Sequence, residues 1–200
     1  MPSSGKSSWK PRTKTAFIRP LSKGTRDKDK EYLHGVLVDV SGVGVLILGR
    51  SGIGKSECAL ELILRGHRLV ADDLVCLERD PGGKLYGYGK APGCSYMEIR
   101  GLGIVDVEKL FAVSALRPQK RVHLVVELVD PEELGDRTGL ERRTVEILGV
   151  ELPLKRIPVT PGRNLSAIVE VAARNFLLEE RGISAPEELD RALRKKMEEE

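Results

Sequence analysis

The chain has 200 residues, enough for one domain with a substantial core, and its 40% hydrophobic and 32% charged residues fit a soluble globular protein rather than a disordered or membrane-embedded one. No apolar run has the length needed to span a bilayer, the N-terminus lacks a signal peptide's apolar stretch, and three cysteines without a C-x-x-C pair suit free thiols in a reducing cytoplasm. The formal charge of +3 divides unevenly: residues 1–30 carry nine Lys/Arg against two Asp (+7), and the other 170 carry 24 basic against 28 acidic groups (−4). The basicity thus belongs to a tail, which gives no support for a nucleic-acid-binding domain. Residues 1–30 are expected to be a solvated, disordered leader, with a domain over 31–200.

From Tyr32 the composition turns β-rich. "HGVLVDVSGVGVLILG" reads as two short strands with a tight connection at Gly42 and Gly44, and Val45 to Leu48 is apolar throughout, as a strand buried on both faces should be. A glycine turn follows, then a helix over "KSECALELILRG", with Cys58, Leu60, Ile63 and Leu64 on one side and Gly66 closing it. "HRLVADDLVCLERD" is a strand region interrupted by two aspartates, and "PGGK" turns it into "LYGYG". "RVHLVVELVD" is strand-like, and "PLKRIPVTPGRN" is extended and punctuated by proline. "LSAIVEVAARNFLLEERG" has helical periodicity, and Ser184 with Glu187 suggests a capping box for a last, charged helix. The fold class expected is α/β: one parallel-type strand–loop–helix unit inside a mixed sheet otherwise built from hairpins, with flanking helices.

Gly49, Gly54, Lys55 and Ser56 satisfy G-x-x-x-x-G-K-[ST], with an apolar strand before and a helix after. Glycines let successive backbone N–H groups converge on phosphate oxygens, and the helix N-terminus adds positive potential. Lys55 would bridge β and γ oxygens, and Ser56 would ligate Mg²⁺. Of Asp72 and Asp73, strand alternation lets only one point at the phosphates, as metal anchor or as base; an exposed turn pair explains them equally well. His34 lies 21 residues before Lys55, and a lone strand histidine is more often structural than catalytic. "EIRGLGIVD" offers Glu98, Arg100 and Asp106 as a charged loop or a further metal ligand. Arg163 in "PVTPGRN" sits at a helix entry, where it could meet an anion or merely lie in a loop. The histidines His34, His67 and His123 are too scattered for a zinc site.

In this order, "HGVLVDVSGVGVLI", "GRSGIGKSE", "RGHRLVADD", "EIRGLGIVDV" and "PVTPGRNLSAIVEVAARNF" resemble the catalytic domain of HPr kinase/phosphorylase, over about His34 to Gly182. The family modifies a serine of the phosphocarrier protein HPr. The resemblance implies a PEP-carboxykinase-like P-loop fold, with Gly49, Arg50, Ser51, Gly52, Ile53, Gly54, Lys55 and Ser56 holding ATP or pyrophosphate. It implies Ser56 and Glu98 as Mg²⁺ ligands, Asp73 as the acid/base, His34 as the residue that tunes it, and Arg137 in "GDRTG" as a catalytic arginine. Met97–Asp106 resembles a stretch that serves both reactions, and Pro158–Arg163 one that serves dephosphorylation.

Cytoplasmic location and a homohexamer are further implications, as is a reverse reaction in which phosphate attacks phosphoserine. Typical members carry an N-terminal domain ahead of the catalytic one, where this sequence has only the basic leader; that difference bears on regulation and on the phosphorylase direction. Two other classes remain open: a P-loop kinase of a small molecule, distinguished by its acceptor, and a non-catalytic nucleotide-binding regulator, which would have no use for Asp73.

Overall fold

The computed structural model describes residues 14–17 (as backbone), 30–90, 93–134 and 142–199. In chain order its elements are β1 (Lys14–Phe17), β2 (Lys30–His34), β3 (Val36–Val40), β4 (Val43–Leu48), α1 (Lys55–Leu64), β5 (Arg68–Ala71), β6 (Leu74–Arg79), β7 (Leu85–Gly89), β8 (Tyr96–Ile99) and β9 (Gly103–Asp106). They continue with α2 (Val107–Phe111), β10 (Gln119–Arg121), β11 (Leu124–Val129), β12 (Arg143–Ile147), β13 (Val150–Pro158), α3 (Leu165–Glu179) and α4 (Ala185–Glu199).

The continuous apolar runs of the sequence lie where both faces of a sheet are covered. Every residue of β3 and β4 is buried. These strands sit inside a seven-stranded sheet of order β1-β12-β13-β11-β4-β3-β5. On one face Val36, Val38, Val45 and Ile47 join Cys58, Ala59 and Leu62 of α1 and Val169, Ala173 and Phe176 of α3 in one core. On the other face Leu37, Leu46 and Leu48 meet Val75, Leu77 and Leu85 from the four-stranded sheet β10-β7-β6-β2 in a second core. Helices, central sheet and outer sheet therefore form three layers, and each fully buried Val or Leu contributes about 1.5–3 kcal/mol.

Several expectations change in the folded chain. The mixed α/β sheet is as expected, but it is less dominated by hairpins: β11 pairs parallel with both β4 and β13, and β1 pairs parallel with β12. The run in β11 is apolar on both faces, so it inserts beside β4 rather than forming an edge. Lys14–Phe17, placed by sequence in a disordered leader, is an edge strand of the central sheet, and Lys30 already belongs to β2. The buried face of α1 is Cys58, Ala59, Leu62 and Ile63, whereas Leu64 is 66% exposed. Two i,i+4 pairs, 58/62 and 59/63, set that face.

The topology brings the site together. β3 is antiparallel to both β4 and β5, so β4 and β5 run the same way and release their C-terminal ends at one edge. That is where ligands bind in open α/β sheets. The chain crosses to the outer sheet at Asp72 and Asp73, between β5 and β6, and the Gly35 amide donates to the Asp73 carbonyl at 3.1 Å.

Candidate active site

The connection from β4 to α1 is shaped by glycines with positive φ. Gly49 (φ 146°), Gly52 (φ 74°) and Gly54 (φ 106°) hold the turn, and Gly54 is the N-cap of α1. A Cβ at Gly49 would stand 2.7 Å from the Leu128 carbonyl, so only glycine lets the loop pack against β11. The loop opens into a cleft of about 820 Å³, lined by His34, Lys55, Ser56, Asp72, Asp73, Glu98 and Arg100 with loop residues Ser51, Gly52 and Gly54.

Lys55 is only 6% exposed. Its Nζ donates to the carbonyls of Gly49 (3.0 Å) and Arg50 (3.1 Å) and lies 3.1 Å from His34 Nε2. An ammonium can only donate, so His34 Nε2 accepts, and the proton of the neutral ring sits on Nδ1. That nitrogen is 2.9 Å from Asp73 Oδ1. Lys55, His34 and Asp73 thus stand in one row, joined by a hydrogen bond between the first two and a 2.9 Å nitrogen–oxygen contact between the second two. Burial pushes the Lys55 amine below the usual lysine range, against the opposing pull of Asp72, Asp73 and Glu57.

The two aspartates sit in the bend between β5 and β6 rather than within a strand, and both line the cleft, so strand alternation does not separate them; their partners do. Asp73 has φ 65° and a carboxylate 77% exposed at the cleft. Asp72 also lines the cleft and accepts from Ser56 Oγ at 2.9 Å. Burial lifts the Asp72 carboxyl above its usual range and Asp73 adds to that, while Ser56 and the backbone amides of Asp73 and Glu98 act in the opposite sense. Ser56, Asp72 and Glu98 all line the cleft and offer it oxygen donors. Mg²⁺ prefers hard oxygen ligands and takes one or two carboxylates besides water and substrate phosphate, so this donor set fits it.

Some expected site residues lie elsewhere. Arg50 turns out of the cleft into a bidentate pair with Asp130 (2.8 and 3.0 Å), which holds the guanidinium above its usual range and Asp130 below its own. The Ile53 side chain joins the core. Arg163 stands on the exposed turn before α3, donates to the Pro158 carbonyl at 3.4 Å, and does not line the cleft. Arg137 lies outside the described residues.

One residue that matters here escaped the sequence reading, and another was singled out without its contact. Asp130, the partner of Arg50, closes the apolar run of β11, and a carboxylate at the end of the strand beside β4 was the available signal. Arg100 reaches the loop itself, with Nη2 2.6 Å from where a Gly52 Cβ would be. The charge was visible in "EIRG", but nothing local pointed it at Gly52.

Residues 28–193 match the family model described as HPr Serine kinase C-terminal domain. An HPr kinase/phosphorylase of Chloroherpeton thalassium is 51% identical over 189 residues, covering 92% of this chain and 56% of that protein. One from Geobacter sulfurreducens is 48% identical over 192 residues, covering 94% of this chain and 60% of the relative. The chain thus spans somewhat over half the length of these curated relatives. Among solved structures, the Hpr(Ser) kinase/phosphatase from Coxiella burnetii superimposes with a TM-score of 0.71 at 40% identity, over 76% of this chain and 93% of that one.

Proposed function

The chain belongs to the HPr serine kinase C-terminal domain family, and on that premise we propose that it is a phosphotransferase that phosphorylates a serine of the phosphocarrier HPr from ATP or pyrophosphate. The reading includes the reverse reaction, the PEP-carboxykinase-like P-loop class for the fold, a cytoplasmic location, and assembly as a homohexamer. The observation that carries it is the Lys55–His34–Asp73 row ending in an exposed carboxylate beside the glycine loop. A protein that only bound nucleotide would need the loop and Lys55 but no positioned base.

In the forward direction Asp73 takes the proton of the attacking serine hydroxyl, and His34 holds the carboxylate through Nδ1–H. Lys55 exchanges its bonds to the Gly49 and Arg50 carbonyls for oxygens of the transferred phosphoryl group. Its buried ammonium acts there at low dielectric, where its attraction is strongest. Gly52 and Gly54 supply backbone amides, and the N-terminus of α1 faces the same phosphates. Ser56 and Glu98 would hold Mg²⁺, with Asp72 orienting the Ser56 hydroxyl, and the ion would supply charge neutralisation at the phosphate oxygens. In reverse, an oxygen of inorganic phosphate attacks the phosphorus of phosphoserine. The bond to the serine oxygen breaks, that oxygen takes the proton from Asp73, and pyrophosphate leaves.

Labelling of HPr with ATP, and separately with pyrophosphate, tests the reading, with small hydroxylated metabolites as competing acceptors. Serine-linked label on HPr that disappears in Lys55→Ala is expected. Transfer to metabolites alone, or none to any acceptor, would overturn it. Light scattering checks the hexamer, which a monomer at micromolar concentration would exclude.

A further inference from the structure

At the edge of the central sheet opposite the glycine loop, a second concavity of about 650 Å³ lies between the β3–β4 turn, the segment after α1, the approach to β11 and one face of α3. Five cationic side chains line it, Arg65, Arg68, Arg117, Lys120 and Arg174, against two carboxylates, Asp39 and Glu170, so its net charge is +3 with His67 neutral. The volume suits a small molecule rather than an extended polymer.

The ion pairs leave positive charge over on both walls. Lys120 Nζ and Arg117 Nε share one oxygen, Asp39 Oδ2, at 3.1 and 3.4 Å, and the other oxygen accepts the Gly42 amide at 3.0 Å. Across the concavity Glu170 meets Arg174, with Arg65 at 3.6 Å and His67 Nε2 at 3.8 Å. The Arg68 side chain is exposed and has no hydrogen bond or ion pair among the described residues. His67 is 9% exposed, and its Nε2 is buried without a hydrogen-bond partner. Like charges held on facing walls of a concave surface repel each other, and a multiply charged anion between them relieves that repulsion.

We infer that this concavity is a binding site for a small polyanion, a molecule with two or more phosphate or carboxylate groups. Arg68 and Lys120 supply charge-assisted hydrogen bonds beside Asp39, and a compact anion fits an open concavity of this volume. The site lies at the far ends of α1 and β5, which carry Lys55 and Asp72 into the cleft, so the two sites share two rigid elements. It does not depend on the phosphotransfer reading, because none of its residues lines the cleft.

The three histidines make the test local. In the full chain with ¹⁵N-labelled histidine, His34 reports the cleft, His67 this concavity, and His123, which accepts from the Gly44 amide, the adjoining end of β4. Pyrophosphate and citrate are titrated separately at constant ionic strength, which distinguishes phosphate from carboxylate ligands. A saturable His67 shift with either probe is expected, weakened about tenfold or more by Arg68→Glu and less by Arg68→Gln, while the His34 response to pyrophosphate stays the same. The Arg68 side chain has no partner to lose, so both variants should fold, and their unfolding temperatures check it. A His67 signal unmoved by both probes, or an isotherm unchanged in Arg68→Glu, would overturn the site.

Discussion

The two ends of β4 are both polar, yet they use their polar groups in opposite ways. At the Val43 end the bonds close on themselves: the Gly44 amide donates to His123 Nδ1 at 2.9 Å, the His123 amide returns a bond to the Gly44 carbonyl at 2.8 Å, and nearly buried Asp39 accepts the Gly42 amide. At the Leu48 end Asp73 holds a left-handed backbone, which costs a non-glycine residue about 1 kcal/mol, and exposes its carboxylate. The bonds of Lys55 there go to loop carbonyls that phosphate oxygens can replace. At the Val43 end the backbone bonds are spent on a turn, so only the cationic side chains of the adjoining concavity are left for a ligand, whereas at the Leu48 end the loop itself keeps its bonds available.

The sharpest way to break this comparison is to remove the base. Asp73→Asn should lower both directions of transfer by about 10²–10⁴-fold and leave the fold intact, since the side chain is exposed. Initial rates of serine phosphorylation and of pyrophosphate release check it, and a retained forward rate would take the role from Asp73.

Arg163→Ala should have a smaller and unequal effect. Its guanidinium lies outside the cleft, bonded to the Pro158 carbonyl, so the forward reaction should fall by less than about tenfold. The reverse reaction brings phosphate next to an already anionic phosphoserine, and an arginine drawn in from this turn matters more there, by about a further tenfold. Equal losses in the two directions would remove any selective role.

The Val43 end predicts a stability effect without an activity effect. Burial first, then Arg121 and Lys120, push the His123 imidazole down to about 4, against the pull of Asp39. The native ring therefore refuses a proton that the unfolded chain accepts below the ordinary value of about 6.5. Stability should fall as pH drops from about 6.5 through about 4, by about 1–2 kcal/mol once solvent contact of the ring is allowed for. His123→Asn, whose Oδ1 takes the place of Nδ1 and can still accept from Gly44, should flatten that slope in urea unfolding at pH 7 and 4.5. An unchanged slope would mean that another group carries it.

What the sequence disclosed follows the same division between local and distant. The strands β3 and β4, the glycine loop and the helix after it rest on neighbours in the chain, and apolar runs and glycines report those directly. The different partners of Asp72 and Asp73 were not legible from strand alternation, because the chain bends at both residues and brings both to the cleft. Nor were partners across the fold. Arg50 reads as a phosphate-loop residue until Asp130, 80 positions away, takes it. The buried face of α1 depends on where α3 packs, and Lys14–Phe17 becomes a strand only because β12 offers an edge.

The smallest expected effect tests whether the Leu48 end costs stability at all. Asp72 is a largely buried carboxylate whose pKa lies above the ordinary range, chiefly through burial. A group whose native pKa is raised stabilises the fold while protonated, and that contribution is lost as pH rises through the raised value. Asp72→Asn carries no charge at any pH, and its Oδ1 still accepts from Ser56 Oγ. The variant should therefore unfold at a slightly higher temperature than the wild type at pH 7.5, with the difference shrinking as pH falls below the carboxylate range. Transfer should drop at the same time, because Asn orients the Ser56 hydroxyl but adds no negative charge beside a bound cation. Thermal unfolding from pH 3 to 8 beside the labelling assay measures both. A variant less stable than the wild type at pH 7.5 would mean that the ionised Asp72 is more than compensated by Ser56 and the two backbone amides, and that this end of β4 is held together as firmly as the other.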